Sequence, residues 1–260
     1  CGSANDERGN SRYNSGLRGI KGTFYQGGIK VPCFVRWPGK CGGGKPVDCL
    51  ANPIDWVPTL SEIVGFALPE KQPPDGTSLL PDLLGIGNKD AHDRLICMQW
   101  HRGNQPAMYR NFATIGRRYK LIRNTEDGDD ELFDLVQDPQ ETRNLAQEYP
   151  EIVTDFLHEY ERWFRNVSST RSDNYAPPRI VAGSKEGDPV YLTWQDWRTY
   201  GLKEGWSVEN PGYWEIELAE TGQYEFVVDV LPMEFPTKFV LELHNWKYSL
   251  NVPEGCWKLG

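Results

Sequence analysis

The sequence predicts a mixed α/β chain, α+β in the order of its own elements, and three observations carry that expectation. Short runs such as IKVPCFVRW at 29–37, RLICMQW at 94–100 and DELFDLV at 130–136 alternate apolar and polar residues with the period of a strand. Two segments, NPIDWVPTLSEIVG at 52–65 and PEIVTDFLHEYERWFRNV at 150–167, instead space their apolar residues as a helix does. Clusters of Gly, Pro, Asn and Asp separate these runs and mark the turns between them.

The first element is a basic, glycine-rich loop. Arg18 and Lys21 stand among Gly16, Gly19 and Gly22, so two cations lie on backbone that tolerates positive φ and approaches a bound group closely, as anion sites require. Thr23 adds a hydroxyl, and the bland alternative is a solvated turn without a ligand. Gly27 and Gly28 then turn the chain into a strand in which Val31, Cys33 and Val35 alternate with Pro32, Phe34 and Arg36, reading as mostly buried.

The next helix is capped by Asn52 or Asp55, accepts Pro58 in its first turn, carries Leu60, Ile63 and Val64 as a stripe and stops at Gly65. Asp75 beside Gly76 reads as a turn former. RLICMQW, MYRNFATIGRRYKLIRN and DELFDLV predict a small antiparallel sheet, and TEDGDDE, with Asp129 and Asp130, a solvated hairpin tip. The following helix has Pro150 at its first position, Glu151 in its first turn, Ile152, Phe156, Tyr160, Trp163 and Phe164 on one side, and Arg162 and Arg165 near its end. From about Arg179 the pattern is β again. Trp214, Ile216 and Leu218, a turn at Thr221 and Gly222, then Tyr224, Phe226, Val228 and Val230 read as a hairpin, and KFVLELHNWKYSL at 238–250 supplies further strands.

Composition narrows the function classes. The 260 residues allow ample core, mean hydropathy is −0.60 and no apolar run has the length of a membrane span. No signal peptide stands at the start, which opens on Cys1 within a loop-like stretch, so an N-terminal part is expected to precede it. The net charge of −9 argues against nucleic acid, yet residues 1–46 hold eight Lys or Arg against Asp6 and Glu7. A basic block in an acidic chain suits a small anion. The six cysteines form no CxxC pair, which argues against a zinc site, and Cys41 and Cys49 read equally as a disulfide or as two thiols. Asn166, Val167 and Ser168 are a formal glycosylation acceptor.

The run LRGIKGTFYQGGIKVPCFVRWPGK at 17–40 resembles the end of the catalytic domain of sulfatases, in the alkaline phosphatase superfamily. NPIDWVPTLSEIVG, PPDGTSLLPDLLG at 73–85 and ELFDLVQDPQETRNLA at 131–146 are similar to the family's next helix, its interdomain link and its C-terminal subdomain, so the likeness covers about 10–165. It implies three parts: 1–85 as the end of the mixed-sheet α/β catalytic domain, 86–178 as the C-terminal subdomain, and 179–260 as a β-rich accessory region, for which the match is weaker.

The resemblance implies hydrolysis of a sulfate ester, with Lys21, the lysine of GxKGT, contacting the sulfate. Arg18 is a further substrate-binding candidate on the same loop, and His101, with Arg102 in the polar loop QWHRGNQP, is a third, against a surface or packing role. In the family a Cys or Ser in a CxPxR or SxPxR run becomes formylglycine, and Asp and Asn residues hold Ca2+. No such run occurs here: PCFVR at 32–36 has the wrong frame, and the SDN at 172–174 resembles the metal-binding pair but follows the lysine instead of preceding it. His92, His101, His158 and His244 match none of the family's active-site histidines. Formylglycine and Ca2+ are therefore expected outside this chain, no metal ligand is assigned within it, and the chain alone is expected to be inactive. The implied partners are a sulfated small molecule or glycan and the N-terminal part of the same exported protein, periplasmic, extracellular or lysosomal. A reading from another class is an extracellular carbohydrate-binding or interaction module built on the Trp-rich β region, where six of the ten Trp residues fall after position 190.

Overall fold

A computed structural model describes residues 13–44, 46–71, 73–87, 93–100, 106–170, 179–185, 187, 189–193, 196, 198–199, 212–229, 237–243, 246–253 and 258–259. The chain forms two compact units, residues 1–177 with 199–209, and 178–198 with 210–260. The class is mixed α/β, with a small antiparallel sheet and few helices.

In the first unit, β1 (Ile96–Gln99), β2 (Phe112–Ile115), β3 (Tyr119–Arg123) and β4 (Glu131–Asp134) form an antiparallel meander in the order β1-β2-β3-β4. Helices α1 (Gln26–Ile29), α2 (Trp56–Val64) and α3 (Leu80–Leu83) precede the sheet, and α4 (Pro150–Ser168) follows it. Strand alternation sorts the side chains. Phe112, Leu121 and Leu132 join Leu145 and the Phe156, Tyr160 and Phe164 face of α4, while Ala113, Ile115, Ile122 and Phe133 join Phe24 in a second cluster. The rings of Phe112 and Tyr160 stack with centroids 3.9 Å apart, and Thr114 Oγ1 donates to the Phe156 carbonyl at 3.3 Å. Both faces of the sheet are thus covered, by α4 on one side and by the 16–29 segment on the other.

That second cover corrects the sequence reading twice. Lys120, at a polar position of the alternation, is completely buried, because the 16–29 segment closes over the face it occupies. Gly27 and Gly28 do not form a turn into a strand; they lie in α1. Residues 30–37 adopt no regular structure, and Val31–Arg36 are exposed. Pro32 has no N–H to give to a ladder, and no described strand pairs with this stretch, which leaves the alternation without a sheet to join.

The helix at 52–65 forms as expected. Asn52 accepts from Ile54 N at 3.2 Å while Asp55 accepts from Asn52 N at 2.7 Å, a reciprocal cap on a short 3-10 turn, Pro53–Asp55, that runs into α2. Gly65 closes α2 with φ 70. Val57, Leu60 and Val64 remain more than half exposed, at 56%, 54% and 72%, so the apolar stripe of α2 is open. Cys33, Cys41, Cys49 and Cys97 are free thiols.

In the second unit, Ile216–Leu218 pairs in parallel with Ile180–Ala182, and Val228–Asp229 pairs antiparallel with Lys258–Leu259. The hairpin expected between 214–218 and 224–230 is therefore absent from the described pairing. Alternation marks which residues suit a strand and leaves the partner open, and here the described partners are 180–182 and 258–259. Thr237–Leu243 and Trp246–Val252, the further strands expected from KFVLELHNWKYSL, pair antiparallel with Leu241 opposite Tyr248.

Candidate anion-binding loop

The loop that carries Lys21 is built from local hydrogen bonds and then fastened to the sheet. Thr23 N donates to the Ile20 carbonyl at 3.0 Å, which makes Ile20–Thr23 a tight turn with Lys21 and Gly22 at its two central positions. Gly22 has φ 91, the left-handed value that the third position of a type II turn demands. Thr23 Oγ1 donates to the Ile20 carbonyl at 2.8 Å and accepts from Ile20 N at 3.2 Å, so the hydroxyl closes the turn. Lys21 stands at the outer corner, exposed.

The turn folds back onto α1. A Cβ on Gly27 would lie against the Gly19 carbonyl and 2.7 Å from that of Arg18, and one on Gly28 against the Thr23 carbonyl and 2.6 Å from that of Ile20. Both positions need glycine because backbone packs directly on backbone there. Gly27 N donates to the Arg18 carbonyl at 2.7 Å in the same contact.

Arg18 lies at the base of the loop. Its guanidinium covers the Tyr25 ring at 3.9 Å, donates to Tyr25 Oη at 3.0 Å and to the Glu141 carbonyl at 2.9 Å, and faces Glu131 Oε2 at 3.3 Å. Tyr25 donates to Glu131 Oε1 at 2.6 Å and accepts from Asn124 at 3.0 Å. Burial, and then the Glu131 carboxylate, push the Tyr25 hydroxyl up to about 12, which keeps it a neutral donor. Deeper still, the Lys120 ammonium donates to the Phe24 carbonyl at 2.9 Å and is paired with Glu141, whose second oxygen accepts from Gln26 N at 2.6 Å. Burial drives the Lys120 pKa down, and the Glu141 carboxylate opposes that.

Of the sequence-derived candidates, Lys21 and Arg18 share this loop, and an open concavity beside it is lined by Gly16, Arg18, Gln140, Glu141 and Thr142. His101 and the SDN at 172–174 lie outside the described residues. Lys120 and Glu141 escaped the sequence reading, although a lysine flanked by Tyr119 and Leu121 in a strand, and a glutamate in DPQE, were visible signals. Among the described residues no three His, Cys, Asp or Glu side chains gather to hold a metal ion. Nor is any helix among them long and apolar enough to cross a membrane.

Residues 20–163, more than half of the chain, match the family model described as N-sulphoglucosamine sulphohydrolase, C-terminal, from the turn that holds Lys21 into the last turns of α4. The chain belongs to the sulfatase family. It is similar to its C-terminal portion. The steryl-sulfatase of Mus musculus is 32% identical over 157 residues, covering 52% of this chain and 25% of the relative. The Delta 4,5-hexuronate-2-O-sulfatase of Bacteroides thetaiotaomicron is 33% identical over 162 residues, covering 62% and 33%. The crystal structure of Ps i-CgsB in complex with k-i-k-neocarrahexaose superposes with a TM-score of 0.50 at 25% identity, over 56% of this chain and 31% of that one. This sulfatase chain thus spans about a quarter to a third of the relatives and the structure it matches.

Proposed function

We propose that this chain is the C-terminal part of an exported enzyme that hydrolyses sulfate esters, aryl or carbohydrate, and that Lys21 is its sulfate-binding cation. The observation that carries the reading is the placement of Lys21. It is an exposed ammonium at the corner of a turn shaped by Gly22, closed by Thr23 and backed by buried contacts, inside the segment that the family model matches. A cation held on such a frame needs little reorganisation when charge develops on a transferring sulfuryl group, which is how a preorganised donor lowers a barrier. Arg18 adds a second positive charge at the base of the same loop, and His101 is kept as a substrate contact.

In this proposal Ca2+ and formylglycine supply Lewis-acid pull and the nucleophile. The described residues offer the metal no ligand set, and the sequence holds no CxPxR or SxPxR run, so in this reading both groups belong to a portion of the protein outside this chain. The chain's own part is to bind one sulfate oxygen through Lys21 and to wall the site. The substrate would be a sulfated small molecule or glycan.

Steady-state kinetics of the full-length protein test the assignment. Lys21→Ala is expected to lower kcat/KM by on the order of 10²-fold. Arg36→Ala and Lys40→Ala, as screened field contributors, are expected to change it by less than about twofold. Equal small losses in all three would assign the basic block to steering and remove Lys21 from the site.

A second reading, a carbohydrate-binding module, draws on Trp246 and Tyr248 in the long hairpin. The residues are about half exposed and their rings are stacked, 5.8 Å apart and inclined by 3°, which leaves aromatic surface that a sugar face can cover. Fluorescence titration with neutral oligosaccharides, with Trp246→Ala as control, distinguishes it from a sulfate-dependent role.

A further inference from the structure

We infer that the buried Lys120–Glu141 pair is a positioning device for the loop that carries Lys21, an inference that rests on the sulfate-binding reading of Lys21 given above. Both side chains are completely inaccessible, and together with the Glu141 main chain they touch the loop at three points. The Glu141 carbonyl accepts from Arg18 at 2.9 Å, the Lys120 ammonium donates to the Phe24 carbonyl at 2.9 Å, and a Glu141 carboxylate oxygen accepts from Gln26 N at 2.6 Å. Residue 21 lies between the first of these points and the other two.

Stability alone does not account for two charges at this depth. Removing them from water is costly, and a well-packed apolar pair of similar volume is commonly as stable or more so. An apolar pair lacks direction, however. It can neither donate to the Phe24 carbonyl nor accept from the Gln26 N–H, and the cluster of Phe24, Ala113, Ile115, Ile122 and Phe133 would let the segment above it slide.

The turn that delivers Glu141 is itself built for this. Asp138 accepts from Thr142 N at 2.7 Å and Arg143 N at 2.9 Å, and Glu141 N donates to the Asp138 carbonyl at 3.1 Å. Within that turn Glu141 has φ 59, a left-handed conformation uncommon for a residue with a side chain, which persists where the surroundings hold it. Lys120 and Glu141 are thus positioning residues, acting on Lys21 through backbone.

Hydrogen exchange and kinetics on the full-length protein test this together. In Lys120→Met, amides of residues 18–28 are expected to exchange about tenfold faster or more while β2, β3 and β4 keep most of their protection, as release of a local unit predicts. Glu141→Gln, which keeps an oxygen for Gln26 N, is expected to release the loop less than Glu141→Leu. Ile122→Val, which trims the same apolar cluster, is the control for ordinary core loss. In the variants that release the loop, kcat is expected to fall by about tenfold with KM little changed, the split left when an interaction made in the transition state is weakened.

Uniform acceleration across loop and sheet, or none in the loop, would overturn the inference. A freed loop with unchanged kcat, in a protein whose activity does require Lys21, would also overturn it. If Lys21→Ala itself changes nothing, the sulfate reading fails, while the exchange pattern still decides whether the pair anchors the loop.

Discussion

Among single residues, Asp55 joins stretches of the first unit that are far apart in sequence. Its buried carboxylate accepts from Asn52 N at 2.7 Å and Thr77 N at 2.9 Å and pairs with Arg94, which also donates to the Leu50 carbonyl at 3.2 Å. Burial pushes the carboxyl pKa up, but hydrogen bonds from Arg94, Thr77 and Asn52 outweigh it and hold the pKa below the usual range. Asp55→Ala is expected to cost about 3–5 kcal/mol in denaturant unfolding, because Arg94 is left without its partner. The depressed folded value also sets the sign of the pH dependence. The contribution is fully present above the unfolded value of about 3.9 and is lost as pH falls through the folded one, so Asp55→Asn should flatten the acid limb of a stability–pH curve. Whether Asn52 or Asp55 caps the following helix was open in the sequence; the structure uses both, reciprocally. That Asp55 also reaches Thr77 and Arg94 was not legible, since nothing local links positions 22 and 39 residues apart.

At the scale of elements, α4 and the sheet follow their patterns, and the basic loop does not. The Pro150 start and the Phe156, Tyr160 and Phe164 spacing specify a helix and its buried face without outside help. The loop's glycines were read for their turns, but Gly27 and Gly28 are required because the backbone of residues 17–23 folds back directly onto α1. Gly27→Ala should therefore destabilise the first unit by about 1–3 kcal/mol, the cost of forcing atoms into a filled space, when followed by thermal melting. Gly42→Ala, where an added Cβ meets nothing within 4 Å, should leave the melt almost unchanged. Equal shifts in the two would mean that the loop relaxes away from α1.

For the molecule as a whole, open apolar surface is the main feature. Phe34 at 92%, Phe66 at 66% and the α2 stripe present side chains that water does not favour. This chain is expected to bind a hydrophobic dye strongly and to unfold at low denaturant, and Phe34→Ser or Leu60→Ser should weaken the dye signal if these faces are the ones it reads. It is also expected to turn over no chromogenic aryl sulfate in the presence of Ca2+. Turnover above that of Lys21→Ala would contradict the assignment of nucleophile and metal ligands elsewhere.

By itself the sequence determined what spacing and residue type determine: the 150–168 helix, the strands that became the four-stranded sheet, the glycine at each left-handed turn of the basic loop, and the motif run that places the chain among sulfatases. These are decided within a few residues, because helix and strand periods are local geometry. The tertiary structure alone decided the rest. It buried Lys120 on the sheet face it shares with Ile122, left 30–37 without a pairing strand among the described residues, and gave 216–218 to a parallel neighbour instead of a hairpin. Each of those outcomes depends on which distant segment reaches an edge or a face, and that competition is settled by packing across the whole unit.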